Sequence, residues 1–246
     1  MRVGIIGGGA TGLAAAYEFV RHGHQVSVYE QASFLGGHAS TFDVDGSRLE
    51  RGYHHWFTSD THIVNLVNDI GLGHRIRWVD SKVGLLYDGH IYNFVTPMDL
   101  LKFKPLPLSD RLRLGLVTLY LQRKKNWKSL EGITAADWLR RHVGERAYQV
   151  FWSPMLRGKF GEDQYQRVGM AWVWGKIHTR FASRNKGMAR EKLGYPMGSF
   201  GEVFDVLANK IKEAGSHVYT SARVDRIRIQ DGRLAGMDVV PPGTTG

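Results

Sequence analysis

The sequence predicts an α/β fold: a strand–helix–strand domain split along the chain, with a mostly helical insertion between its halves. Three observations carry that expectation. An apolar strand runs into the glycine-rich turn VGIIGGGATG (residues 3–12), and a helix and a second strand follow. Residues 97–182 are rich in Leu, Trp and Arg at helical spacing and carry few strand signals. Turn, helix and strand signals return near residue 194. The boundaries predicted are 1–58 for the first half of the split domain, 59–193 for the helical region and 194–246 for the second part.

Taken in order, residues 2–6 form an apolar run of the kind that fills a buried parallel strand. Leu13, Ala16, Tyr17 and Val20 then recur at helical spacing, and Gly23 stops the helix. QVSVYE (25–30) reads as the second strand, completing a βαβ unit. Asp45-Gly46, Asp88-Gly89 and Asp231-Gly232 each sit between alternating segments and predict hairpins. Residues 61–70 read as a helix ending at Gly71, a further helix spans about 200–214, and 217–219 form a strand.

The glycine loop has a mechanism. In Gly7-x-Gly9-x-x-Gly12 the first glycine permits the tight turn, the second admits a pyrophosphate to the backbone, and the third lets helix and strand approach closely. Gly8, Ala10 and Thr11 complete the loop, and the helix N-terminus offers unpaired N–H groups and a partial positive charge to phosphates. Glu30 ends the second strand 18 residues after Gly12, close to the spacing at which a carboxylate accepts bonds from a ribose diol; Gln31 follows it. This is a Rossmann-like dinucleotide site, and the acid disfavours a 2′-phosphate.

Gly36-Gly37-His38 stands six residues past Glu30, in EQASFLGGHAST. Together with the loop and the acid it resembles the FAD-dependent amine oxidase superfamily, which includes amine oxidases, protoporphyrinogen oxidases and carotenoid or squalene-type desaturases. The run GYPMGSFGEVFDVLANKIKEAGSHVYTSARVDRI (194–227) is similar to a second block of that family. The resemblance implies FAD as cofactor, with Gly36 and Gly37 bringing a second loop against the pyrophosphate and Val224 reaching the adenine through its backbone. His38 departs from the family pattern, which has arginine there; histidine donates to a phosphate without a fixed charge. Members continue with a C-terminal segment that lies against the flavin ring. This chain ends at VVPPGTTG without that block, so a fragment is expected and no catalytic residue is assigned.

Tyr53-His54-His55-Trp56 follows a hairpin, and the resemblance sets Tyr53 and His54 beside the flavin. Adjacent histidines on a strand point to opposite faces and no third ligand is evident, so no metal site is expected. The chain has no cysteine, which removes disulfides, thiolate metal sites and cysteine nucleophiles. Its formal charge is +10, and residues 101–160 hold 13 Lys or Arg against 4 Asp or Glu. No nucleic-acid module accompanies that patch, so nucleic acid is not an expected partner.

The helix expected at about Ser109–Gln122 places Arg111, Gly115, Thr118 and Gln122 on one narrow strip and covers the rest with apolar residues. Such a face needs a partner, either protein core or lipid. RKKNWK directly after it suits a lipid interface, so peripheral membrane contact through 109–128 is an expectation. Trp172 and Trp174, near Lys176 and His178, are candidates for lining a substrate cavity.

The function expected is an FAD-dependent oxidoreductase that moves hydride from a CH–CH or CH–NH bond of a small apolar or amine substrate to flavin. It is set in the cytoplasm, with membrane association open. Two alternatives remain: an NAD-dependent dehydrogenase, and a non-catalytic membrane-surface or interaction protein that keeps a nucleotide-binding fold.

Overall fold

The computed structural model describes residues 1–183 and 191–240. The chain divides into two compact units: Met1–Trp56, Asp60–Trp78 and the segment from Gly194 form the first, and Phe57–Ser59 with Val79–Leu193 the second. The sequence pattern starts the insertion at 59, whereas the division leaves Asp60–Trp78 with the first unit. The reason is packing. Val67 and Ile70 of the helix Thr61–Asp69 and its C-terminal cap are buried in the first unit's apolar cluster, with Ile63 and Leu66 beside them. Residues 241–246, which hold most of the terminal VVPPGTTG, lie outside the described residues.

In the first unit three parallel strands, Arg2–Ile6, Gln25–Tyr29 and His217–Tyr219, form a sheet with Gln25–Tyr29 in the middle. Val3 lies opposite Val26, Ile5 opposite Val28, and Val218 opposite Val28. Side chains alternate along a strand, so these valines and Ile5 share one face. They join one apolar cluster with Leu13, Ala16 and Tyr17 of the helix Ala10–Arg21 and with Val203, Leu207 and Ile211 of the helix Ser199–Glu213. The other face meets the antiparallel hairpin Arg223–Gln230/Arg233–Val240, where a methyl group added at Gly4 would strike Met237.

All three Asp-Gly hairpins form where expected, at Thr41–Val44/Ser47–Glu50, Gly84–Tyr87/His90–Asn93 and Arg223–Gln230/Arg233–Val240. Asp45, Asp88 and Asp231 take φ of 47°, 48° and 52°, and the glycine after each is also positive, the signature of the tight turn whose twist matches the strands.

The second unit is mostly helical, with Leu108–Arg123, Ala135–Val143, Ser153–Phe160 and Met170–Ala182 as its long helices. Its core gathers Phe103, Leu106, Leu114, Leu121, Leu139, Tyr148, Leu156 and Met170. The hairpin Gly84–Asn93 joins through Tyr92, whose ring stands edge-on to Phe103 at 5.0 Å. Trp174 donates through Nε1 to the carbonyl of Lys124 at 2.7 Å, and His178 Nε2 lies 2.8 Å from the carbonyl of Leu121. Both residues therefore hold the end of the helix Leu108–Arg123. Trp172 stands edge-on to Phe160 with Lys159 and Lys176 over its ring.

Candidate functional site

The first helix begins at Ala10, and its first hydrogen bond runs from Leu13 N to Gly9 O at 3.0 Å. The amides of Ala10, Thr11 and Gly12 therefore precede the intrahelical ladder, as the first turn of any helix requires. These three residues line a cavity of about 590 Å³ at the C-terminal end of the first strand. A methyl group at Gly12 would land on the carbonyl oxygen of Gly7, so the strand and helix can meet this closely only without a side chain there.

A second loop closes on the first. Gly36 N donates to Gly8 O at 2.9 Å, and Gly9 and Gly36 form an isolated parallel bridge. Gly36 takes φ of +100°, and a Cβ there would stand 2.5 Å from the Phe204 ring. Both the backbone and the neighbour demand glycine. The motif Gly36-Gly37 that suggested a pyrophosphate clamp is thus joined by hydrogen bonds to Gly7–Gly12.

Glu30 sits behind the loop. Its Oε2 accepts from Gly8 N at 2.7 Å and its Oε1 from Ala32 N at 2.8 Å. A carboxylate has about four lone-pair positions, so each oxygen keeps one for an incoming hydroxyl. Glu30 O also accepts from Ala222 N at 2.8 Å, and Ala32 O accepts from Ser221 N at 2.8 Å. These bonds draw the segment leading to Val224 up to the acid.

Among the predicted residues, Gly7, Gly9, Ala10, Thr11, Gly12, Gly36, Gly37, His38 and His54 line the cavity. Gly8, Glu30, Gln31, Tyr53 and Val224 are outside its lining, with Tyr53 80% exposed. His54 Nδ1 lies 2.6 Å from the carbonyl of Gly52. A carbonyl only accepts, so Nδ1 carries the proton in that bond and Nε2 is left for another partner. Among the described residues no group of three His, Asp or Glu side chains is placed to hold a metal.

The sequence reading missed the apolar wall, made by Trp56, Ile63, Phe200, Val203 and Phe204. Its signal was present: Phe200, Val203, Phe204 and Leu207 recur at one helical face. It also missed what fixes that wall. Glu50 accepts hydrogen bonds from Tyr195 Oη at 2.7 Å, Ser199 Oγ at 2.6 Å and Phe200 N at 3.1 Å. Ser199 has φ of +67°, a strained value for serine, and these bonds hold it. Burial pushes the Glu50 carboxyl up, but the bonds from Ser199, Tyr195 and the Phe200 amide outweigh it and leave it below its ordinary value. Burial and the bond to Glu50 both push the Tyr195 hydroxyl up.

Residues 10–239 match the family model described as flavin containing amine oxidoreductase. The chain belongs to this family. Zeta-carotene desaturase of Synechocystis sp. is 40% identical over 178 residues, which cover 63% of the chain and 36% of the relative. Mitochondrial protoporphyrinogen oxidase of Nicotiana tabacum is 26% identical, covering 87% of the chain and 44% of that protein. The chain thus spans less than half the length of these relatives. An oxidoreductase from Methanosarcina mazei shares the fold with a TM-score of 0.72 at 19% identity, over 97% of this chain and 56% of that one. Membership in this family implies a flavin as the cofactor, FAD in this case.

The cavity fits the phosphate and ribose portion of FAD on its own chemistry. Three amides ahead of the helical ladder line it, two glycine loops leave backbone bare along it, and behind them Glu30 keeps lone pairs for a diol.

Proposed function

We propose that this chain is the cofactor-binding and helical part of an FAD-dependent oxidoreductase that oxidises a CH–CH or CH–NH bond of a small, apolar or amine substrate. The observation that carries the reading is the hydrogen-bonded pairing of the Gly7–Gly12 loop with Gly36-Gly37 over a shared cavity. In this reading the amides of Ala10, Thr11 and Gly12 hold the pyrophosphate, assisted by His38. Glu30 holds the ribose diol with Gln31 beside it, and Val224 meets the adenine. Tyr53 and His54 lie toward the flavin end, where the Nε2 of His54 offers an acceptor. FAD, when bound, supplies a hydride acceptor.

Similarity to a zeta-carotene desaturase and a protoporphyrinogen oxidase favours CH–CH over CH–NH chemistry and an apolar, conjugated substrate. Such molecules dissolve in bilayers, so peripheral membrane contact through 109–128 belongs to the same proposal. Among the described residues no helix is long and apolar enough to cross a membrane.

The test is a titration of the whole chain with FAD, read by flavin fluorescence, beside NAD read by thermal shift. FAD is expected to bind more tightly than NAD, and Glu30→Ala to weaken FAD by about tenfold or more, as loss of hydrogen bonds to a charged group implies. Tighter binding of NAD would transfer the reading to the dehydrogenase alternative. A chain that binds both FAD and anionic vesicles yet shows no turnover with any conjugated or amine substrate would favour the non-catalytic one.

A further inference from the structure

The helix Leu108–Arg123 is built inside out. Leu114 and Leu121 are buried in the second unit's core, and Arg111, Gly115, Thr118 and Gln122, each half-buried, lie on the margin between those leucines and the outer face. Two polar groups there find local partners: Thr118 donates to Leu114 O at 2.8 Å, and one Arg111 guanidinium NH2 group bonds the carbonyl of Leu101, while the buried Nε of Arg111 has no protein partner among the described residues. Leu108, Leu112, Leu116, Leu119 and Tyr120 face solvent, from 40% exposure at Leu119 to 67% at Leu116. At about 100° per residue these five fall within roughly a third of the helix circumference, an apolar stripe from Leu108 to Tyr120 that shares its arc with exposed Ser109 and ends at exposed Arg123. An ordinary surface helix turns its apolar stripe to the core and its polar residues outward.

Neighbours extend the stripe rather than interrupt it. Met98 and Leu101, on the short helix Pro97–Lys102 that meets this one near Leu100 and Gly115, are exposed, and so is Trp127 just past its end. Charge around it is one-sided. Residues 97–128 hold eight Lys or Arg against two Asp, and Lys102, Lys104, Arg123, Lys125 and Lys128 are exposed. Neither acid offsets them on this face. Asp99 is taken by the amides of Val95 and Thr96, and Asp110 is half-buried on the other side of the helix. Lys124 reaches past the Tyr120 ring with Nζ 3.3 Å from its hydroxyl, the posture of a cation lifting its charge above an apolar layer.

We infer that the outward face of Leu108–Arg123 lies in the plane of an anionic lipid surface, with its leucines in the acyl boundary and the surrounding lysines and arginines on the headgroups. Charge complementarity selects this occupant. A second copy would set the same crowded cations against each other, whereas an anionic bilayer meets both the apolar stripe and the charge around it. The inference names the lipid and the face for the membrane contact proposed above, and it rests on that reading but not on the redox chemistry.

The test is co-sedimentation of the FAD-loaded chain with phosphatidylglycerol–phosphatidylcholine vesicles and with pure phosphatidylcholine vesicles, at low and high salt. Binding to the anionic vesicles, weakened at high salt, is expected. It should fall at least tenfold in Leu112→Ser/Leu116→Ser and severalfold in Lys125→Glu/Lys128→Glu, with FAD binding unchanged in both. Because the leucines are exposed, the first variant keeps its fold, which circular dichroism checks; the charge variant leaves the stripe intact and tests the surface independently. Absence of binding to anionic vesicles overturns the inference, as does wild-type vesicle binding in the leucine variant. So does a dimer, seen by sedimentation velocity, that the leucine variant abolishes, because it gives the face to a second copy. Loss of FAD binding in the wild type would instead count against the oxidoreductase reading and leave the vesicle result standing.

Discussion

Two helices of similar length, Ser199–Glu213 in the first unit and Leu108–Arg123 in the second, use their apolar residues in opposite ways. Phe200, Val203, Phe204, Leu207 and Ile211 of the first are all buried and point into sheet and cavity. The second buries Leu114 and Leu121 and turns Leu108, Leu112, Leu116 and Leu119 to the outside. Hydrophobic burial is the main favourable term in folding, so the first helix is part of what makes its unit stable, and the second carries apolar surface that folding leaves unused. Surface of that kind marks function rather than stability.

The same substitution on the two helices should therefore give very different costs. Leu207→Ala removes a 1% exposed side chain from the first unit's cluster and should lower stability by about 2–5 kcal/mol, measured by urea unfolding. A cost under about 1 kcal/mol would mean that the helix is not fastened to the sheet as described.

A second effect concerns the cavity that this helix walls. Gly36→Ala sets a methyl group against Phe204 at a φ that L-residues avoid. The expected penalty is about 2–3 kcal/mol, which, placed on the bound state, weakens FAD roughly 30- to 150-fold in a fluorescence titration. Gly36→Ala with Phe204→Ala should recover part of that loss, since the clash is then gone and only the backbone term remains. No recovery would show that Phe204 does not shape the site.

Smaller still is the contribution of the clamp at the helix start. Glu50 is held below the ordinary carboxylate value, so it stabilises the fold above its unfolded pKa of about 4.5, and that contribution disappears as pH falls through the folded value. Glu50→Gln should cost about 1–2 kcal/mol near neutral pH, as expected for hydrogen bonds to a charged group, and little in strong acid. Thermal unfolding of both proteins from pH 7 downward, with the two curves starting to converge as pH falls below about 4.5, is the outcome expected; parallel curves would sink it.

What the sequence made legible was local. Gly7–Gly12, Glu30 and the three Asp-Gly turns each declare their geometry within a few residues, because steric limits on φ and the first turn of a helix are short-range facts. The helix wall was half legible: its period is plain, but nothing in the pattern says that a cavity lies beyond it. Glu50 was not legible, since its partners Tyr195 and Ser199 lie 145 and 149 residues away and only folding joins them. The start of the insertion was displaced because the helix Thr61–Asp69 carries the same amphipathic spacing whichever unit it packs on. Orientation of Leu108–Arg123 was not legible for a related reason. With apolar residues around most of its circumference, periodicity does not tell which side faces in, and the narrow polar strip, which a surface helix would normally expose, is half-buried.

That inversion yields the smallest expected effect and the sharpest one. Leu116 is 67% exposed, so Leu116→Ser removes little buried surface and adds a hydroxyl that water can satisfy. The stability change expected is within about 0.5 kcal/mol, the range of surface substitutions away from special features. Leucine favours a helix over serine by a few tenths of a kcal/mol, which sets the sign of what remains as slightly destabilising. Urea unfolding without lipid measures this directly, and Leu114→Ser on the opposite side of the same helix is the control, with an expected loss of several kcal/mol from burying an unpartnered hydroxyl in a cavity. Should Leu116→Ser cost 2 kcal/mol or more in the lipid-free protein, the leucine face must already be packed in the native state, and the contrast between the two helices would vanish.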